Sequence, residues 1–251
     1  MSNEEAIREA VREAGLDGAV TYQEVADSTN TTAMRMAAEG ADEWTLVVAG
    51  HQTGGRGRLG RTWMSEPGKS LLFSLVLRPE IAPADAGLLT LLAGVAMAEA
   101  ARVSCNASVA CKWPNDLMVE GGKAGGILAE SSVVGDRIEH VVVGVGVNVG
   151  SAPNVEGASS LGGGDPAVLL SAFLWCFRQR YLPGNQDFAR MVIEAHRAVS
   201  ATLGREVTAR TSDGRSVVGL AVDLDDRGNL IVEADDRRET VGFGEIAHLS
   251  R

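Results

Sequence analysis

The sequence predicts helices set against a mostly antiparallel sheet, followed by a small all-β end, and three observations carry that reading. Apolar residues recur at helical spacing in five separate stretches before residue 200. Between Val109 and Val149 the chain breaks into short β-rich runs divided by turn signals. The last fifty residues contain only such short runs.

Taken in order, Glu4 to Ala14 places Ile7, Ala10, Val11 and Ala14 at helical spacing, and Gly15 suits a C-cap. Ala19 to Val25 reads as a strand. Asp27-Ser28-Thr29-Asn30 follows as a cap cluster before a helix rich in alanine and methionine that ends near Gly40. Trp44 to Ala49 is a second strand. Ser70 to Leu77 is a third, nearly all apolar, and such a run is expected to be buried on both faces. Pro83 opens a helix through about Ala101. Val109 to Lys112, Leu117 to Val119, Ala124 to Val134 and His140 to Val149 alternate with turn signals at Pro114-Asn115, Gly121-Gly122 and Gly135-Asp136, which predicts an antiparallel meander. Two helices follow, from about Asp165 to Tyr181 and from Asn185 to Ser200. Short strands at Glu206 to Arg210, Ser216 to Asp223, Leu230 to Glu233 and Glu239 to Gly242, divided by Asp213-Gly214 and Arg227-Gly228-Asn229, predict a small barrel.

A chain of 251 residues can form one large domain or a large one with a small one. Cys105, Cys111 and Cys176 are odd in number and contain no C-x-x-C pair, so a disulfide framework, a zinc site and a redox centre are not expected, and a reducing cytoplasm is. The acidic start Met1-Ser2-Asn3-Glu4-Glu5 is unlike a signal peptide. The apolar run Ala86 to Ala98 stops at Glu99, too short to span a bilayer. Net charge is 23 − 33 = −10, which repels nucleic acid and anionic membranes. Any anionic ligand must therefore be drawn in by a local cluster of cations. Between His51 and Ser70 that cluster exists: Arg56, Arg58, Arg61 and Lys69 face one acid, Glu66.

Gly55-x-Gly57-x-x-Gly60 matches the dinucleotide fingerprint in letters. Its context does not, because Arg61-Thr62-Trp63-Met64-Ser65-Glu66-Pro67-Gly68 follows instead of an apolar helix. A Walker A loop is also absent. Glycines at alternate positions let the backbone approach a ligand and offer N–H groups, and the arginines between them supply charged forks for carboxylate or phosphate. A solvated surface loop is the bland alternative. Lys112-Trp113-Pro114-Asn115-Asp116 and Lys123-Ala124-Gly125-Gly126-Ile127-Leu128 set two lysines about one turn. Lys123 opens a strand of small and apolar residues, where an ammonium gains from an adjacent anion. Asp116 can serve as a magnesium ligand or as an ordinary turn cap. Asn148 interrupts a strand that should be buried, so its amide needs a partner, from backbone or from the edge of a nucleotide base.

Together these segments resemble the biotin protein ligases: Ser28-Thr29-Asn30, then Gln52 to Arg61 with Trp63, then Lys112 to Asp116, Lys123 to Leu128 and Gly144 to Asn148. Five motifs stand in the family's order from about residue 20 to 150. The β-rich end resembles the family's C-terminal SH3-like domain. Gly54 and Ala124 stand where members often carry alanine and leucine. The resemblance implies an α+β fold, a mixed sheet with flanking helices akin to class II aminoacyl-tRNA synthetases, with a catalytic domain over 1–200 and an SH3-like domain over 201–251. It implies that biotin's carboxylate attacks the α-phosphate of MgATP to give biotinyl-5′-AMP and pyrophosphate. The amine of one lysine on a biotin carboxyl carrier protein, that of acetyl-CoA or a related acyl-CoA carboxylase, then takes the biotinyl group. Carried over residue by residue, Ser28, Thr29, Asn30, Gln52 and Gly126 would face biotin. Arg56, Gly57, Arg58 and Lys123 would hold its carboxylate and the phosphates, with Lys123, Arg58 and Arg56 catalytic. Arg61, Trp63, Lys112, Asn115 and Asn148 would face the nucleotide, and Asp116 the Mg²⁺.

The chemistry agrees with these residue types, since joining two anions requires neutralisation and alignment but no protein nucleophile. The Gly-rich loop is expected to be mobile without ligand and to order over the adenylate. The 27 residues before Ser28 are too few for the winged helix-turn-helix of bifunctional members, which predicts a ligase that does not bind operator DNA, a monomer or weak homodimer. Competing readings are a lipoate or octanoate–protein ligase, which leaves the double arginine unexplained, and a non-enzymatic biotin-binding regulator.

Overall fold

The computed structural model describes residues 2–211, 215–235, 237–242 and 245–248. Its larger part is a seven-stranded sheet in the order β1-β2-β3-β7-β6-β5-β4. Only the pair β1 (Val20–Ala26) and β2 (Leu46–Gln52) is parallel, because α2 (Thr29–Ala38) makes the crossover between them. β2 then runs antiparallel to β3 (Ser70–Leu77), and β3 to β7 (Arg137–Asn148). The expected meander is present: β4 (Ala110–Lys112), β5 (Asp116–Val119) and β6 (Gly122–Val134) pair in succession, and β6 pairs with β7.

Helices cover both faces. α2 packs Ala33 and Ala37 on Val47, Val76 and Val142 on one side. On the other lie α1 (Asn3–Glu13), α3 (Gly87–Cys105), α4 (Pro166–Arg180) and α5 (Phe188–Ala198), which share the main core with β3 and β7. β3 is enclosed by both layers, and all its residues are buried, as its nearly all apolar run predicts. α1 begins at a capping box in which Ser2 and Glu5 satisfy each other's backbone N–H.

α3 corrects one expectation. Helical turns run from Pro83 to Cys105, a stretch long and apolar enough by composition to cross a membrane. Most of it is buried inside the fold, with Leu88 to Ala98 enclosed throughout. A helix apolar all round is what a position between a sheet and two further helices demands.

The C-terminal part is a five-stranded antiparallel sheet in the order β11-β10-β9-β8-β12. It comprises β8 (Glu206–Arg210), β9 (Ser216–Leu224), β10 (Leu230–Ala234), β11 (Arg237–Val241) and β12 (Glu245–His248), the last unforeseen from the sequence. The Asp213-Gly214 turn lies outside the described residues. This sheet sits against the Lys112–Asp116 turn. Cys111 N–H donates to Val199 O at 2.7 Å, and Ala201 N–H donates to Cys111 O at 2.8 Å. Trp113, 1% exposed, donates its backbone N–H to Thr202 Oγ1 and its indole N–H to Gly228 O, both at 2.9 Å.

Candidate functional site

A cleft of about 270 Å³ opens where the ends of β2, β5, β6 and β7 meet the N-terminus of α2. Its first wall is the Arg-Gly segment between β2 and β3. Trp63 N–H donates to Gly55 O at 2.9 Å, and Gly57 N–H to Arg61 O at 2.7 Å, with Arg56 and Thr62 bridged between them. The segment is therefore a tight hairpin, not the helix a dinucleotide fingerprint would open. At its tip Leu59 takes a left-handed conformation, φ +55°, and is 73% exposed. Gly54 leaves room for Asp27, whose Oδ1 would lie 2.1 Å from an added Cβ.

The floor comes from the β6–β7 register, in which Gly126 pairs with Gly146 and Leu128 with Gly144. The Trp63 indole rests on that floor. A Cβ at Gly146 would sit 2.7 Å from Trp63 Nε1, whereas one at Gly126 would meet Trp63 and Lys123 at an ordinary 3.6 Å. The indole N–H is buried with no partner. Lys123 Nζ stands 6.0 Å from the Trp63 ring centre, at the outer reach of a cation–π contact.

The cleft's cations already have neighbours. Lys123 Nζ pairs with Asp116 Oδ1 at 2.5 Å. Arg58 donates to Asn115 Oδ1 at 3.2 Å, and Asn115 is itself fixed by donating to Ile127 O at 2.9 Å. Arg56 pairs with Glu130 Oε1 at 2.5 Å. Among the lining residues Arg56, Arg58, Arg61, Lys112 and Lys123 stand against one carboxylate, Asp116. In a chain of net charge −10 this is a local inversion of sign that concentrates anions.

The opposite wall is uncharged. Ser28 caps α2 by accepting from Thr31 N–H. Thr29 gives both its backbone N–H, at 2.7 Å, and its hydroxyl, at 3.0 Å, to Gln52 Oε1. Ser28, Thr29 and Asn30 are each no more than 4% exposed, and the helix N-terminus they form carries partial positive charge. Cys111 beneath the turn has its thiol pushed up to about 12 by burial, so it stays neutral and plays no nucleophilic part.

Of the residues singled out from the sequence, Ser28, Thr29, Asn30, Gln52, Arg56, Gly57, Arg58, Arg61, Trp63, Lys112, Asn115, Asp116, Lys123 and Gly126 all line this one cleft. Asn148 does not. Its amide donates to Ser159 O at 3.0 Å and lies 3.4 Å from the Ser70 hydroxyl, so backbone and a neighbouring strand satisfy it. Ser159 N–H in turn donates to Lys123 O at 2.9 Å, so Asn148 braces the strand that carries Lys123. Glu130 and Ser74 were missed. Glu130 follows the cleft residues Gly126 and Leu128 at the strand period of two, the signal that would have placed it on the same face of β6 at the cleft's edge.

Known proteins share this arrangement. The model of the biotin/lipoate A/B protein ligase family matches residues 22–148, and that of the biotin protein ligase C-terminal domain matches residues 202–249. The chain belongs to the biotin/lipoate A/B protein ligase family. Among relatives of the ligase, the bifunctional ligase/repressor BirA of Bacillus subtilis is 34% identical over 236 residues, 90% of this chain and 72% of the relative. The biotin–[acetyl-CoA-carboxylase] ligase of Mycobacterium tuberculosis is 34% identical over 234 residues, 88% of this chain and 86% of the relative. A mutant biotin protein ligase from Aquifex aeolicus in complex with biotin superposes with TM-score 0.76 at 25% identity, covering 93% of this chain and 99% of that one. The Leishmania major ligase in complex with biotinyl-5-AMP does so with TM-score 0.59 at 26% identity, covering 93% and 99%. The mixed sheet with flanking helices and the C-terminal antiparallel sheet of the ligase thus follow the family's α+β fold.

Proposed function

We infer that this protein is an ATP-dependent biotin protein ligase that makes biotinyl-5′-AMP and passes the biotinyl group to a lysine of a carrier domain. The observation that carries the reading is the convergence of the Arg-Gly hairpin and Lys123 on one cleft that also holds the polar N-terminus of α2. A neutral ring lined by amide groups suits the wall of Ser28, Thr29 and Gln52, whose hydrogen bonds can re-pair with ureido atoms. The carboxylate would then point toward Arg58 and Lys123.

In the first step a biotin carboxylate oxygen attacks the α-phosphorus of ATP, and the bond to the β-phosphate oxygen breaks, releasing pyrophosphate. Both reactants are anionic, so the barrier falls when fixed cations stand where negative charge builds up. Lys123 would bridge the carboxylate and the α-phosphate, with Arg56, Gly57 and Arg58 on the remaining oxygens. Trp63 offers its flat face to the nucleotide. In the second step a neutral lysine amine of the carrier attacks the acyl carbon and AMP leaves.

Magnesium would arrive with ATP. The described residues contain no group of three or more metal-binding side chains. Asp116, paired here with Lys123, would supply one carboxylate to a Mg²⁺ whose other ligands are phosphate and water. We further assign residues 1–200 to catalysis and 201–251 to the small C-terminal domain, the acceptor to the carrier of an acyl-CoA carboxylase, and the site of action to the cytoplasm, which suits three free thiols. The hairpin, open at Leu59, would close over the adenylate to keep water from it. Pyrophosphate release by the purified protein, required to depend on both biotin and ATP, tests the first step.

A further inference from the structure

Glu130 lies outside every motif considered above, yet it joins the two walls of the cleft. Its Oε1 pairs with an Arg56 guanidinium nitrogen at 2.5 Å, and its Oε2 accepts from Asn30 Nδ2 at 2.9 Å. Asn30 is itself immobilised: the same Nδ2 donates to Leu128 O at 3.1 Å, and its Oδ1 lies 2.6 Å from the Ser74 hydroxyl, which also reaches Thr29 Oγ1 at 2.8 Å. Ser74, Thr29 and Asn30 are all buried. A continuous polar chain thus runs from Gln52 through Thr29, Ser74, Asn30 and Glu130 to Arg56, linking β2, α2, β3, β6 and the hairpin.

Two physical consequences follow. A carboxylate with one oxygen anchored to a buried amide cannot swing, so the other oxygen fixes where the Arg56 fork stands. An arginine has five N–H donors in a rigid plane, so pairing one nitrogen with Glu130 leaves the rest for a ligand's carboxylate or phosphate. The Glu130 side chain is 24% exposed and that of Arg56 46%, so water screens the pair only in part.

We propose that Glu130 is a positioning residue that sets Arg56, and with it the Arg-Gly hairpin, in the geometry that receives the ligand's anion. In this role Glu130 touches neither substrate, and Asn30 serves it as an anchor instead of contacting biotin directly. The part of the proposal that concerns biotin rests on the ligase reading; the coupling of Glu130 to the hairpin does not.

The test is a double-mutant cycle on the full chain with Glu130→Gln, Arg56→Gln and the pair of substitutions together. Without any ligand, each single variant should speed amide hydrogen exchange across residues 55–63 by about tenfold, and the double variant should add no more than about twofold to that. With biotin and ATP, Glu130→Gln should raise the KM for biotin about tenfold while kcat stays within about twofold, the signature of lost ground-state positioning, whereas Arg56→Gln, which removes the cation itself, should raise KM at least as much and lower kcat too. The double variant should be no worse than Arg56→Gln alone. Exchange that is unchanged, or effects that multiply in the double variant, would overturn the coupling. A lower KM for biotin in Glu130→Gln would also overturn the proposal, because it would mean that Glu130 competes with the ligand for Arg56. Should the wild-type protein ignore biotin while the exchange cycle still couples, the ligase reading falls and Glu130's hold on the hairpin stands.

Discussion

Gly144 is where the geometry makes its sharpest demand on the sequence. A Cβ there would lie 1.9 Å from Asn30 Oδ1, 2.6 Å from its Cγ and 3.0 Å from Nδ2, so the whole amide would have to leave. Gly144→Ala otherwise suits a strand, where alanine costs the backbone less entropy than glycine, and a simple propensity argument expects a small gain. The structure reverses the sign. Displacing Asn30 abandons its bonds to Leu128 O, Glu130 and Ser74 in a site where Asn30 is 4% exposed. Leaving buried polar groups unsatisfied costs about 1–3 kcal/mol. Overpacking adds about 1–3 kcal/mol. The expected loss is about 2–6 kcal/mol, a large share of the roughly 5–15 kcal/mol by which such proteins are stable. Gly126→Ala is the matched control. Its Cβ would meet nothing closer than 3.6 Å, and unfolding free energy should stay within about 0.5 kcal/mol of wild type. Guanidinium unfolding followed by circular dichroism reads both. An unfolding midpoint for Gly144→Ala equal to that of Gly126→Ala would refute the account of the Asn30 chain.

Three further outcomes follow. Arg58→Ala and Lys123→Ala should each cut biotin-dependent pyrophosphate release by about 10²-fold or more, as loss of a charge aimed at the reacting oxygens does, with circular dichroism unchanged. Trp113→Phe removes the indole N–H bond to Gly228 O and leaves that carbonyl unpaired, so chemical denaturation should show a loss of about 1–2 kcal/mol. His196 is 2% exposed, and burial pushes its pKa down to about 4. The unfolded chain, with a histidine near 6.5, then binds more protons than the native state between those values. Stability is therefore fully present above about pH 6.5 and falls by on the order of 3 kcal/mol as pH drops toward 4. His196→Leu should flatten unfolding free energy against pH across that window.

What was legible in the sequence followed from strong local signals. Ser70–Leu77 is a strand to the residue because an eight-residue run, apolar but for Ser70 and Ser74 and bounded by Lys69 and Arg78, has one comfortable place, the centre of a covered sheet. The meander was marked by its glycine turns, and the Arg-Gly loop by charge against the chain's acidity. Elements that depend on partners were less visible. β12 has four residues and exists by pairing with β8. The parallel β1–β2 pair depends on a helix crossing over it, which periodicity does not report. α3 runs to Cys105, past Glu99 and Arg102, because Glu99 finds Arg180 on α4 at 2.6 Å. Asn148 showed that a buried amide needs a partner, but not which one. Glu130 was hidden for a related reason: a glutamate late in a strand is usually solvated, and its anchor, Asn30, lies 100 residues away in sequence.

The central claim is that the five cations and the capped helix of this cleft activate biotin and hand it to a carrier. The measurement that tests it most directly presents the purified chain with ATP, Mg²⁺ and a biotin carboxyl carrier domain, and with biotin, lipoate or octanoate in turn, scoring acylation of the carrier lysine by mass spectrometry. ATP-dependent transfer of biotin, with neither lipoate nor octanoate appearing on the carrier, is the predicted result. Transfer of lipoate or octanoate in preference to biotin, or biotin binding without any transfer, would contradict it.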